Sequence, residues 1–182
     1  MKMPAETMLL KNGKTCVLRS AEPEDAARMI AYMKVMLGQT PFLLRTPEEF
    51  DYSVEGEAAV LGQRRDDPRA LMILAEADGE IVAVSDVTPI GGKSRLLHRA
   101  NLGMSVRQDY WHMGIGSAMM ERLISHARRA GFEQIELEAV SANRRAVGLY
   151  MKYGFQVYGT RPHGLKYADG SYADDYLMRR EL

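Results

Sequence analysis

The sequence has no excess of charge of either sign, no pair of cysteines and no long apolar run, and each lack removes a class of protein. Lys+Arg and Asp+Glu stand at 24 each, so the net charge is zero. A chain so balanced carries no basic footprint for nucleic acid and no attraction to an acidic membrane surface. Its single cysteine, Cys16, cannot close an internal disulfide. A reducing, intracellular compartment follows as the expectation, hence a cytoplasmic protein. Lying among Thr15, Val17 and Leu18, Cys16 reads as a buried strand residue rather than a nucleophile. Nothing approaches the run of about 18 apolar residues that a membrane span requires. The segment from Met1 to Glu6 has no continuous apolar core, so no secretory signal is expected. Internal repeats, heptads and low-complexity tracts are missing too. No metal site is expected, and the thirteen methionines read as packing filler. The 182 residues are most simply one domain, residues 1–182, long enough to bury a substantial core.

Against these absences stands Met104-Ser105-Val106-Arg107-Gln108-Asp109-Tyr110-Trp111-His112-Met113-Gly114-Ile115-Gly116-Ser117. The end of an apolar strand runs into a short loop with glycines, and the loop opens into a helix. The first backbone N–H groups of a helix lack intrahelical partners and sit at its positive end, which suits a phosphate. Gly114 and Gly116 would let a bulky anion approach the backbone. Alone, G-x-G before a helix also describes an ordinary tight turn.

About one helix and one strand later comes Asn143-Arg144-Arg145-Ala146-Val147-Gly148-Leu149-Tyr150-Met151-Lys152-Tyr153-Gly154-Phe155. Together the two stretches resemble the GNAT superfamily of N-acetyltransferases, which move acetyl from acetyl-CoA to an amine. The resemblance runs from about residue 14 to residue 182 and is strongest from His98 to Phe155. It implies acetyl-CoA as acyl-donor cosubstrate and a mixed, mainly antiparallel central sheet. It also implies that the loop of Trp111, His112, Met113, Gly114, Ile115, Gly116 and Ser117 cradles the CoA pyrophosphate. Met104, Ser105 and Val106 would pair through their backbone with the pantetheine amides. The family loop usually begins with Gln or Arg, where this chain has Trp111. That departure puts one side-chain contact in question, not the grip of the backbone amides.

The pattern along the chain fits an α/β (α+β) fold, a mixed sheet with helices on both faces. Thr15–Arg19 alternates as a strand, and Ser20 to Asp25 reads as the start of a helix continuing through Leu37. A second helix is expected after Thr46 with Pro47 first. Arg64 to Pro68 reads as a charged surface turn. Asp78-Gly79 between the apolar runs Leu71–Ala77 and Ile81–Val87 predicts a hairpin. Gly91-Gly92-Lys93-Ser94 is a turn and not a phosphate loop, because Val87 stands where that motif needs a glycine. From Arg99 to Val106 the alternation sets Ala100, Leu102, Met104 and Val106 on one face, with Arg99, Asn101, Gly103 and Ser105 on the other. Ile115, Met119, Leu123 and Ala127 then form a helical stripe that ends at Gly131. Ile135, Leu137 and Ala139 alternate as another strand, and a helix over Asn143–Tyr153 follows. Phe155–Thr160 and Ala173–Arg180 are the last strands, with Arg161–Tyr172 a long polar loop between them.

Acetyl transfer needs a neutral amine, a stabilised oxyanion and a proton for the departing thiolate. Tyr150 matches the family's thiolate-protonating position. Asn143 caps its helix, and the resemblance adds a hydrogen bond to the cofactor. Lys152 is a candidate for the CoA phosphates. Many family members place a glutamate base where this chain has Asn101, which cannot take a proton but can orient water or the incoming amine. His98 is the nearby alternative, although alternation turns it away from Asn101. Deprotonating a lysine-like amine at neutral pH costs roughly 4.6 kcal/mol, against about 1.1 kcal/mol for an α-amine. A site without its own carboxylate therefore favours an α-amine, of a small molecule or a peptide N-terminus. Thr40–Arg45 and His163–Asp175 are candidates for acceptor specificity by resemblance. Residues 169–178 resemble members grouped with ribosomal-protein N-terminal acetyltransferases. No nucleophile–base pair is evident, so direct attack in a ternary complex is expected. Two alternatives stay open: an acyl-CoA-binding regulatory module of weak activity, and a partner-binding domain that would leave the glycine loop unexplained. Neither nucleic acid nor membrane is an expected partner, and a homodimer is left open.

Overall fold

The computed structural model describes residues 3–182. Met1 and Lys2, read above as part of a segment without a secretory signal, lie outside the described residues. The elements are β1 (Glu6–Leu9), β2 (Thr15–Ser20), α1 (Ala26–Gln39), α2 (Val54–Asp66), β3 (Leu71–Ala77), β4 (Glu80–Pro89), β5 (Arg99–Val106), α3 (Ile115–Arg129), β6 (Gln134–Val140), α4 (Arg144–Lys152), β7 (Gln156–Lys166) and β8 (Tyr172–Glu181). One eight-stranded sheet runs in the order β1-β2-β3-β4-β5-β6-β8-β7. Neighbours are antiparallel except β5 and β6. Among the described residues no helix is long and apolar enough to cross a membrane.

Helices cover both faces because the strands bury apolar side chains on both. On one side α3 and α4 pack over Ile73, Ala100, Leu102, Ile135, Leu137 and Met178. The stripe Ile115, Met119, Leu123 and Ala127 on α3 is fully buried, each larger side chain contributing roughly 1.5–3 kcal/mol. On the other side α1 and α2 set Met29, Tyr32, Met36 and Leu61 against Leu74 and Ile81. Cys16 is buried within the first cluster, and burial raises its thiol pKa to about 11.

The parallel pairing of β5 with β6 is short: only Arg99, Ala100 and Asn101 face Gln134, Ile135 and Glu136. Arg99 pins this register with two hydrogen bonds to the Glu136 carboxylate, which is held below the usual range by that pairing. Beyond it the strands part. β5 stays on β4 through Val106, while β6 stays on β8 through Val140 opposite Asp175. The sheet thus opens from Leu102 onward along a wedge between its two halves.

Several expectations need correction. Pro47 opens a single 3-10 turn, Pro47–Glu49, and α2 begins only at Val54, capped by Ser53 accepting from the Gly56 N–H. The reciprocal bonds between Thr46 and Glu49 satisfy a capping pattern without a helix to follow. Arg64 to Asp66 are the last turn of α2 rather than a surface turn, and Arg64 reaches Asp86 at 2.6 Å. Residues 161–166 belong to β7, so the connection to β8 is only 167–171. A first strand, β1, precedes those expected.

Candidate active site

The wedge between β5 and β6 is a cleft of about 950 Å³. Its first wall is β5 itself, where Leu102 to Val106 have no strand partner on the β6 side. Backbone groups along such an edge must find partners in water or in a ligand. Met104, Ser105 and Val106 all line the cleft. Ser105 has a second role: its hydroxyl meets Tyr32 Oη of α1 at 2.8 Å, tying that helix to the strand.

The glycine loop closes one end. His112 and Gly114 both take left-handed backbone conformations, with φ of 64° and 95°. Such values are costly for a residue with a side chain at position 112 and free at Gly114. These turns swing the chain so that α3 starts against the cleft. Among the described residues no side chain caps α3, and its first intrahelical bond is from the Ala118 N–H to the Gly114 carbonyl. The N–H groups of Ile115, Gly116 and Ser117 are thereby left for a ligand, and all three residues line the cleft. A Cβ on Gly116 would stand 3.1 Å from Leu149 Cδ2, so the absent side chain lets α4 close onto the loop. That donor set suits a pyrophosphate.

Trp111, the departure from the family pattern, is anchored twice. Its indole N–H donates to the Val106 carbonyl at 2.7 Å, and the Arg145 guanidinium lies 3.3 Å from its ring centroid. Trp111, Arg144 and Arg145 line the cleft beside the loop. Positive charge at this end therefore comes from the start of α4. Met113 does not line the cleft; it turns inward against the core. Lys152 stays outside as well, with its ammonium 5.4 Å from the Tyr153 ring centroid.

Asn143 accepts the Ala146 N–H at 3.3 Å through Oδ1 and so caps α4, as read from the sequence. About two turns further on, Tyr150 faces the cleft while only 7 % exposed. Its ring is held near Phe155, and burial pushes its pKa up to about 12. It therefore keeps its proton across the neutral range.

The far end of the cleft is framed differently. Met36, Phe42, Leu43 and Leu44 form an apolar wall from the end of α1 and the segment after it, with the polar Thr40 among them. Asn101 lines the floor. His98 does not: it lies before β5, beside Arg69 and Ser94 in a separate hollow, and its carbonyl accepts from Glu133 and Gln134. The reading of His98 as a base is withdrawn on that geometry. Sequence reasoning missed Glu138, and it named Asp175 only as the end of a specificity segment; both carboxylates line the cleft. With Ile135, Leu137 and Ala139 in the core, alternation along β6 already turned Glu138 toward the face of Asn101. Arg161 of β7 binds Glu138 through two hydrogen bonds of 2.6 and 2.8 Å. It approaches Asp175 only to 3.6 Å. Burial raises the Asp175 carboxyl above the usual range; Arg161 opposes this, while Glu138 and Asp174 add to it.

Known proteins share the fold. The model of the Acetyltransferase (GNAT) family matches residues 39–155. The L-amino acid N-acetyltransferase AaaT of Escherichia coli (strain K12) is 30% identical over 169 residues, covering 90% of this chain and 96% of its own. A GNAT-family acetyltransferase from Streptococcus pneumoniae superposes with a TM-score of 0.87 at 27% identity, over 92% of this chain and 99% of that one. The fold also matches yncA from Salmonella typhimurium, a structure with its cofactor acetyl-CoA, with a TM-score of 0.79 at 18% identity over 92% and 94% of the two chains.

Proposed function

This chain belongs to the GNAT family of acetyltransferases, with acetyl-CoA as its acyl donor, and we propose that it passes the acetyl group directly to a primary amine within a ternary complex. The observation that carries this reading is the continuous wedge. It runs from an uncapped helix N-terminus, past a buried tyrosine hydroxyl, to an end lined by apolar side chains and carboxylates. Donor and acceptor can meet in it without an acyl-enzyme.

In this reading Ile115, Gly116 and Ser117 offer their N–H groups to the pyrophosphate, and the backbone of Met104 to Val106 holds the pantetheine arm. Trp111 and His112 shape that end, Met113 supports it from the core, and Arg144 and Arg145 add positive charge. Asn143 uses Oδ1 for its cap and keeps its Nδ2 donors for the donor molecule. Lys152 acts at most through long-range attraction from outside the wedge. Tyr150 donates to the departing sulfur, and Asn101 orients the amine or a water. Phe42, Leu43, Leu44 and Leu165 suit an acceptor whose amine carries an apolar substituent. An α-amine, of a small molecule or a peptide N-terminus, fits the lower cost of deprotonation worked above. The name of the Escherichia coli relative lends support to an amino-acid-like acceptor. The single eight-stranded sheet supports one domain, and the lone cysteine supports a cytoplasmic setting.

The test is release of free CoA from acetyl-CoA with a panel of α- and ε-amines, alongside calorimetry of acetyl-CoA binding. Turnover favouring α-amines is expected. Tight binding without turnover on any amine would instead leave a regulatory module.

A further inference from the structure

Deprotonation of the acceptor lacks a group in the reading so far, because Asn101 cannot take a proton. Asp175 lies on β8 opposite Val140, beyond the point where β5 has parted from β6, and so borders the wedge. It is 5% exposed and lines the cleft. A buried carboxylate ordinarily accepts several hydrogen bonds. Among the described residues none donates one to Asp175, and its nearest cation, Arg161, is committed to Glu138. The neighbouring chain makes room for it: a Cβ on Gly164 would fall 2.0 Å from Asp175 Oδ2. His163 before it takes a left-handed conformation with φ of 55°, and its N–H bonds Asp174 instead. The β7–β8 pairing breaks register between Arg161 and Leu165. That irregularity makes room for the carboxylate over Gly164, with Arg161 at 3.6 Å as its one facing cation among the described residues.

We infer that Asp175 is the catalytic base of this enzyme, the group that takes the proton from the acceptor's ammonium. The assignment rests on the acetyl-transfer reading and deepens it. The ammonium gives one proton to the Asp175 carboxylate, which passes it to solvent. The freed lone pair forms the C–N bond at the thioester carbonyl, and the C–S bond breaks. The adduct then loses a second of its N–H protons, leaving one on the amide nitrogen, and the thiolate takes up one proton while Tyr150 hydrogen-bonds the sulfur. One proton is released overall. Arg161 and Glu138 are positioning residues: together they hold a neutral pair beside Asp175 and leave its own charge available. The facing groups act on it as described, with desolvation, Glu138 and Asp174 raising its affinity for a proton and Arg161 lowering it. A base so poised is better matched to an α-ammonium than an exposed carboxylate would be.

The experiment compares wild type with Asp175→Asn and Glu138→Gln, using phenethylamine, leucinamide and the weakly basic trifluoroethylamine. Circular dichroism and acetyl-CoA affinity establish that each variant is folded and loaded. For the two protonated amines, Asp175→Asn should lower kcat/KM by about a hundredfold, as expected for loss of a general base. For trifluoroethylamine, which arrives neutral, the loss should be several times smaller. The acidic limb of the wild-type pH profile should lie above the ordinary carboxylate range and vanish in Asp175→Asn. In Glu138→Gln it should move to lower pH, because a negative neighbour is gone and Arg161 is freed. A folded Asp175→Asn with wild-type kcat/KM, or an equal loss on all three amines, would overturn the assignment and leave acetyl transfer standing. Should that variant not fold, Gly164→Ala serves, since it expels the Asp175 carboxylate from its place, and wild-type turnover there would overturn the assignment as well. A wild-type chain that binds acetyl-CoA but releases no CoA with any amine would remove both readings.

Discussion

Replacing Tyr150 by phenylalanine isolates one hydroxyl in the wedge. Its pKa of about 12 has burial as its cause. A free thiol titrates near 8.5, so complete transfer of this proton to a thiolate would run uphill by several kcal/mol in the ground state. Tyr150 therefore acts chiefly as a hydrogen-bond donor to the sulfur while charge develops there. Hydrogen bonds to charged groups are worth about 1.5–3 kcal/mol, which converts to a fall in kcat of roughly tenfold to a hundredfold. Among the described residues no side chain hydrogen-bonds this hydroxyl, so unfolding free energy should change by less than about 1 kcal/mol. The assay is single-turnover release of CoA across pH, with urea unfolding in parallel. Because the tyrosine stays protonated, wild type should show no alkaline decline from this group until above pH ~10. An unchanged rate in the variant, or an alkaline limb near neutrality that the variant abolishes, would refute the reasoning.

At Gly116, glutamate places bulk and negative charge where a pyrophosphate is proposed to sit. Acetyl-CoA binding should disappear by calorimetry with the circular dichroism intact, and retained affinity would remove the loop from the donor site. Arg145→Ala should weaken acetyl-CoA binding by about three- to tenfold at low ionic strength, with the gap closing in salt; a salt-independent change would assign Arg145 to packing on Trp111 alone. Arg19 binds Asp25 and Glu76 together, and hydrogen bonding from Arg19 holds the Glu76 carboxyl below its usual range. Its replacement by alanine should cost about 3 kcal/mol at neutral pH by urea unfolding. A depressed carboxylate stabilises the fold above its unfolded pKa and loses that stabilisation as pH falls through the folded value, so the cost of Arg19→Ala should shrink on acidification.

The parts legible in the sequence are those whose function is written locally. The alternation over Arg99–Val106 gives β5 at its observed ends, and the stripe from Ile115 gives α3, because each buries one whole face. Asp78-Gly79 marks the β3–β4 hairpin for a similar reason: the turn needs left-handed backbone at both positions. The second half of β7 escaped notice because an edge strand exposed on both faces carries no alternation. The start of α2 escaped because Thr46 and Glu49 complete their capping bonds within a single turn. In the site, the glycine loop and Tyr150 are local motifs and could be read. Asp175 could not be assigned, since its place in the same cleft as Asn101 depends on strands joining from distant parts of the chain.

The shortness of the β5–β6 pairing has a consequence for traffic through the enzyme. Everything proposed to grip the donor, from the helix N-terminus to the exposed edge of β5, addresses portions that the reaction leaves unaltered. Such contacts favour reactant and spent carrier alike and do nothing for the chemical step itself. Free CoA should then compete with acetyl-CoA at comparable affinity, and its departure should become limiting once transfer is fast. The rate in a cell would follow the ratio of charged to uncharged carrier rather than the concentration of either, making the wedge a reader of acetyl supply.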